Sequence, residues 1–152
     1  MTPVVRPGQP ADAAAVKACI DAAFRHYIVR IGQPPGPMRL DVAAAVAAGQ
    51  VWLAEQGGEV VGALVQYDSE QGLYIDTVAV LPPCQGSGVG RALLLFAEQE
   101  AQRRGHRQVH LCTNAHMTEN QVFYPRIGYV ETGRGHEGGY DRVFYAKACV
   151  RG

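Results

Sequence analysis

Apolar and polar positions along this chain follow two periods, and the switches between them divide it into elements. "PVVRPG" (residues 3–8) predicts a short strand stopped by Pro7 and Gly8. From Asp12 the apolar positions move to three-and-four spacing. Val16, Cys19, Ile20, Ala23, Phe24 and Tyr27 line one face, which predicts one amphipathic helix. "RIGQPPGPMRL" is too rich in Pro and Gly for regular structure, and "DVAAAVAAGQ" is a short helix closed by Gly49. "VWLAEQ" and "EVVGALVQYD" are strands joined at Gly57-Gly58, a hairpin signal. "GLYIDTVAVLP" is a third strand, ended by Pro82 and Pro83. The clearest helix is "VGRALLLFAEQEAQRRG": Val89, Leu93, Phe96, Ala97 and Ala101 share a face, Arg103 and Arg104 fill the last turn, and Gly105 caps it. "QVHLCTN" is a strand. "TENQVFYPRIG" is a short helix with a Thr118/Gln121 capping box. "YVETGR" and "YDRVFYAKACV" are closing strands, with "GRGHEGGYDR" between them as a mobile loop.

The order is β-α-α-β-β-β-α-β-α-β-β, without repeat or linker. Hairpins in the first half imply antiparallel pairing, and the strand, long helix and strand of residues 73–113 imply one right-handed parallel crossover. The expectation is a single α/β domain over residues 1–152, a mixed sheet with helices on both faces. Fourteen basic residues balance fourteen acidic ones, so no overall field draws the chain to nucleic acid or to anionic membranes. No apolar run approaches the ~20 residues of a membrane span, and the N-terminus lacks a charged-then-apolar leader. The four cysteines (Cys19, Cys84, Cys112, Cys149) are scattered, and read as reduced thiols of a cytoplasmic protein. His110 and Cys112 share a strand face but have no third partner, so no metal site is expected.

The chemistry concentrates in "AVLPPCQGSGVGRALL". Three glycines alternate directly before the strongest helix. A helix N-terminus presents unpaired N–H groups and about half a positive charge, and glycines let an anion approach that backbone. Two phosphate motifs fail here. No Lys follows the glycines as a P-loop requires, and counting G-x-G-x-x-G from Gly86 ends on Arg91.

Gln85, Gly88 and Gly90 resemble the Q/R-x-x-G-x-G/A signature of the GNAT superfamily of acetyl-CoA-dependent N-acetyltransferases, and "VAVLPP" is similar to its V-x-V-x-P strand end. "NQVFYPRIGYVETG" resembles its N-x-x-x-x-Y-x-x-x-G-F segment through Asn120, Tyr124, Gly128 and Tyr129. The element order is similar too, so the resemblance spans almost the whole chain. It implies a mostly antiparallel sheet of six to seven strands with a central, splayed parallel pair. It also implies that Gln85, Gly86, Ser87, Gly88, Val89 and Gly90, with Arg91, hold the pyrophosphate of coenzyme A. The pantetheine arm would pair in the gap between "IDTVAV" and "VHLCTN", along Val78, Ala79 and Val80. Asn114, Asn120, Phe123 and Tyr124 would complete the cofactor side, and homodimers through the last strands are common in similar proteins.

Acetyl transfer to an amine needs a deprotonated amine, a stabilised oxyanion and a reprotonated thiolate. Tyr124 matches the family's general acid, and an N–H near Val80 its oxyanion donor. Pro125 inside the same helix deletes a hydrogen bond and puts the hydroxyl's position in question. Tyr74, Asp76, Val78 and Val80 alternate onto one strand face, which makes Asp76 a candidate base or substrate anchor. An ordered water is the alternative base. The acceptor is a small-molecule or peptide amine, selected by the loops around Tyr27 and Tyr140. An acyl-CoA-binding module without turnover is the competing function.

Overall fold

A computed structural model describes residues 2–149. Strand β1 (Val4–Pro7) leads into α1 (Ala13–Phe24), α2 (Tyr27–Ile31) and α3 (Val42–Ala47), followed by β2 (Val51–Gln56), β3 (Glu59–Ser69) and β4 (Gly72–Val80). Helix α4 (Val89–Arg103), β5 (Gln108–Asn114), α5 (Thr118–Arg126), β6 (Val130–Glu137) and β7 (Tyr140–Ala148) complete it. The seven strands form one sheet in the order β1-β2-β3-β4-β5-β7-β6. Among the described residues only β4 and β5 pair in parallel. Among the described residues no helix is long and apolar enough to cross a membrane.

Each face of the sheet buries its own cluster. Leu93, Leu94 and Ala97 of α4 pack on Leu73, Ile75, Leu111, Val143 and Tyr145. Val16 and Ile20 of α1 and Val46 of α3 pack on Leu53, Ala63 and Val65. Each fully buried Leu, Ile or Val stabilises the fold by about 1.5–3 kcal/mol, so the helical stripes hold both layers.

The centre of the sheet is where the function-bearing irregularity lies. β4 pairs β5 only through Leu73–Val109, Tyr74–His110 and Ile75–Leu111, after which the two strands part. On the other side, Val65 pairs Thr77 while Gln66 pairs Ile75, so Asp76 has no partner on β3. It is the extra residue of a β-bulge, and a bulge bends its strand. The expected splay therefore opens at the bulge. The bulge also overturns the expected parity of β4. Val78 and Val80 pack in the α4 cluster with Leu73 and Ile75, whereas Asp76 lies with Tyr74 and Tyr67 on the opposite face, accepting from the Tyr67 hydroxyl at 3.2 Å.

Three other expectations change. The first long helix breaks at Arg25–His26 into α1 and α2, with no Gly or Pro to mark it. Tertiary contacts of Tyr27 and Arg30 override the local periodicity there. The segment expected as a mobile loop near His136 is instead the end of the β6–β7 hairpin, paired through His136–Asp141 and Glu137–Tyr140 around a two-glycine turn at Gly138-Gly139. The Thr118/Gln121 capping box is absent. Thr118 bonds the neighbouring Glu119 side chain, and Gln121 donates to the Ala115 carbonyl at 2.8 Å.

Candidate active site

The parting of β4 and β5 creates a cavity of about 620 Å³. It is walled by β4, β5, the glycine loop, α5, the α1–α2 corner and β7. Leu81 N–H bonds the Val61 carbonyl on β3 at 2.9 Å. By strand alternation, the main-chain groups of Val80 and Val78 then face the gap. The Gln85 side chain donates to the Val80 carbonyl at 3.1 Å, tying the loop to the strand end.

At the loop, Gly86 and Gly88 have φ of +80° and +94°, and a Cβ built on either would meet nothing in the protein. That backbone is bare toward the cavity and accessible only to glycine without strain. Gly88 is the N-cap of α4. The first bond of the helix runs from Ala92 N–H to the Gly88 carbonyl at 3.0 Å, so the N–H groups of Val89, Gly90 and Arg91 point out of its open end. The arrangement suits a polyphosphate, and Arg91 lies at its edge of the cavity.

Tyr124 sits across from the loop. Its ring packs at 5.5 Å from Tyr129, 5.7 Å from Tyr145 and 5.3 Å from Phe123. Pro125 falls in the last turn of α5, where the helix closes with Tyr129 N–H on the Tyr124 carbonyl at 3.0 Å and Gly128 N–H on the Pro125 carbonyl at 3.2 Å. These two bonds and the Tyr124–Tyr129 contact make a Schellman cap. Left-handed Gly128, with φ of +97°, thus ends the helix just after Pro125, and Tyr124 keeps its place in the cavity wall. Burial pushes the Tyr124 phenol well above its ordinary pKa, and its hydroxyl bonds no group among the described residues. Asn120 ties α5 to β5, donating to Thr113 Oγ1 at 2.9 Å.

Of the residues expected at the site, Asp76, Val78, Val80, Gln85, Gly86, Gly88, Gly90 and Arg91 line the cavity, as do Asn114, Asn120, Phe123 and Tyr124. Three do not. Ala79 is buried under α1, Val89 inserts into the α4 cluster, and the Ser87 hydroxyl turns back to the Cys84 carbonyl. Sequence reading missed Glu119, Thr113 and Arg142. Glu119 accepts from the Tyr27 hydroxyl at 2.8 Å and from Arg30 at 2.5 Å, clamping α2 to α5. Burial raises its pKa, but the bonds from Arg30, its own N–H and Tyr27 outweigh that and hold it at about 2. The Tyr140 hydroxyl donates to the Pro34 carbonyl at 2.6 Å and Gln33 donates to the Gly139 carbonyl at 3.0 Å, so the proline-rich loop is strapped to the β6–β7 turn. Among the described residues no group of three His, Cys, Asp or Glu is placed to hold a metal ion.

Residues 47–131, more than half of the chain, match the family model of an acetyltransferase (GNAT) domain. The chain belongs to the GNAT family. Two curated relatives are similar to part of this GNAT chain. The aminoalkylphosphonate N-acetyltransferase of Salmonella typhimurium is 35% identical over 86 residues, 53% of this chain and 56% of the relative. The N-alpha-acetyltransferase 80 of Mus musculus is 37% identical over 62 residues, 41% of this chain and 18% of the relative. The chain thus spans about half the length of the first and less than a fifth of the second. Among solved structures, a GCN5-related N-acetyltransferase from Rhodopseudomonas palustris superposes with a TM-score of 0.81 at 26% identity, covering 97% of this chain and 96% of that one. The PaiA N-acetyltransferase of Thermoplasma acidophilum, crystallised with coenzyme A, also gives 0.81, at 13% identity and 97% and 99% coverage. That second likeness is one of GNAT fold alone.

Proposed function

We propose that this GNAT protein transfers the acetyl group of acetyl-CoA to a primary amine by direct attack in a ternary complex. The observation that carries the reading is one cavity lined by the bare glycine loop, the open edge of β4 and the buried Tyr124 hydroxyl together. Main-chain N–H groups from Gly86 to Gly90, with Arg91, would hold the pyrophosphate of coenzyme A, and the gap edge of Val78 and Val80 its pantetheine arm. The nitrogen lone pair attacks the thioester carbonyl carbon, the new C–N bond forms, and the C–S bond breaks with its electrons leaving on sulfur. Val80 N–H donates to the oxygen that gains charge. The amine's proton goes to Asp76 or to a water beside it. Tyr124 returns a proton to the departing sulfur. Burial raises the proton affinity of a thiolate in the same cavity, so a phenol above its ordinary pKa still fits the task.

The acceptor is a small or peptide amine. The similarity to an aminoalkylphosphonate N-acetyltransferase favours the small one, and that to an N-alpha-acetyltransferase the peptide. Calorimetry with coenzyme A and a thiol-release assay over an amine panel test the reading. Binding with amine-dependent release of free thiol is expected. Binding without release for any amine would leave a coenzyme A-binding module, and no binding would remove the assignment.

A further inference from the structure

Resting on the acetyltransferase reading, the charged groups of the cavity define what its acceptor must carry. Glu119 is neutralised by Arg30, and Arg91 belongs to the glycine loop. Two charges are left. Arg142 of β7 lines the cavity half-buried. Its guanidinium reaches Cys112 Sγ at 3.1 Å and the Glu137 main-chain carbonyl at 3.3 Å, and lies 5.6 Å from the Tyr140 ring centre. Sulfur is a weak acceptor, a guanidinium has five donors, and no carboxylate pairs with Arg142 among the described residues. Burial disfavours its charge, but the Cys112 bond and the nearby Cys112, Tyr74 and Glu137 groups outweigh that, so the group stays cationic, and its planar fork keeps donors that match a carboxylate or phosphonate in two parallel bonds.

Asp76 is the complementary group. Its carboxylate accepts from the hydroxyls of Tyr67 at 3.2 Å and Thr77 at 3.0 Å, and no cation pairs with it among the described residues. Asp76 and Arg142 lie on the same face of the sheet, away from α4. Cys112 on the intervening β5 bonds both Tyr74 of β4 and Arg142. Asp76 directly follows the last β4–β5 pair and Arg142 stands opposite Asn114 of β5, so the two charges face the same cavity from either side of β5, and one ligand carrying both charge signs would bridge them.

We propose that Arg142 is the specificity-determining residue for the acceptor, selecting a compact amine that also carries an anionic group, with Asp76 receiving the ammonium end. The test measures acetylation of 3-aminopropylphosphonate and β-alanine beside their uncharged counterparts, propylamine and β-alanine amide. It uses wild type, Arg142→Gln and Arg142→Lys, with coenzyme A affinity and a thermal melt on each sample. A charge-assisted bond of this kind is worth roughly 10- to 100-fold. Wild type should therefore favour the anionic amines by that factor in kcat/KM, mainly through KM. Arg142→Gln should bring the ratio near one, and Arg142→Lys should restore part of it. Equal use of charged and uncharged amines by wild type overturns the proposal. So does a preference that survives in a folded Arg142→Gln, or a protein that binds coenzyme A and acetylates none of the four. Failure to bind coenzyme A would instead remove the acetyltransferase reading beneath it.

Discussion

The Tyr124 ring is held by Tyr129 and Tyr145, so removing only its hydroxyl separates packing from chemistry. Tyr124→Phe should leave the melting temperature nearly unchanged. Turnover on the best amine should fall about 100-fold, the low end for general acid catalysis, because a thiolate leaves more readily than an alkoxide. Coenzyme A affinity should drop by no more than about 1 kcal/mol, one hydrogen bond. Steady-state kinetics and calorimetry on one sample decide it. At Gly88, φ of +94° and open space around a Cβ mean that a valine would both strain the loop and stand where the proposed phosphate would sit. Gly88→Val should fold and lose coenzyme A binding. Undiminished affinity in a folded variant would exclude the loop as the phosphate site. Both positions line the cavity, and both were picked out in the sequence by residue type at fixed spacing. Arg142 was not. It faces the cavity only through the register that sets Asn114 opposite it, and no local pattern encodes that.

Among elements, α5 carries the most. It presents Tyr124 and, through Glu119, anchors the short α2 beside the cavity. A carboxyl held at about 2, below its ordinary 4.5, stabilises the fold at any pH above that ordinary value. The contribution fades as pH falls toward 2, where the group protonates in both folded and unfolded chains. Glu119→Gln should therefore be less stable than wild type at neutral pH, and the difference should shrink steadily below pH 4.5. Denaturant titrations from pH 7 to 3 measure it, and a gap independent of pH would deny Glu119 this role. The α4 stripe was readable because its buried positions are helical neighbours. The α1–α2 break was not, since no Gly or Pro marks it and the bond that fixes α2 reaches about 90 residues on to Glu119.

For the whole molecule, what matters is where the parallel pair stays closed and where it opens. Gly72 begins β4 beside Gln108, and a Cβ there would lie 2.3 Å from the Gln108 carbonyl oxygen, at φ of +141°. Gly72→Ala should cost at least ~1–3 kcal/mol, because backbone must move. A denaturant midpoint equal to wild type would show that the base of the pair is not fixed there. The parallel crossover and the mixed sheet could be anticipated from the alternation of elements, and six to seven strands from the family resemblance. The bulge could not, because "YIDTVAV" reads as unbroken alternation, and the mismatch exists only against β3.

That mismatch makes chain length, rather than any side chain, the origin of the cavity. Residues 72–75 and 77–80 each keep a constant pairing with β3, and the two halves differ by one position. Deleting Asp76 would merge them into a single ladder while leaving Ile75, Thr77, Val78 and Ala79 on their present faces. A straightened β4 could then continue beside β5 beyond Ile75–Leu111 and fill the opening with its own hydrogen bonds. The shortened chain should melt no lower than wild type and bind no coenzyme A. In this fold a one-codon deletion, which alignment by substitution alone would never sample, would turn a sheet that holds a ligand cavity into a closed and sturdier one.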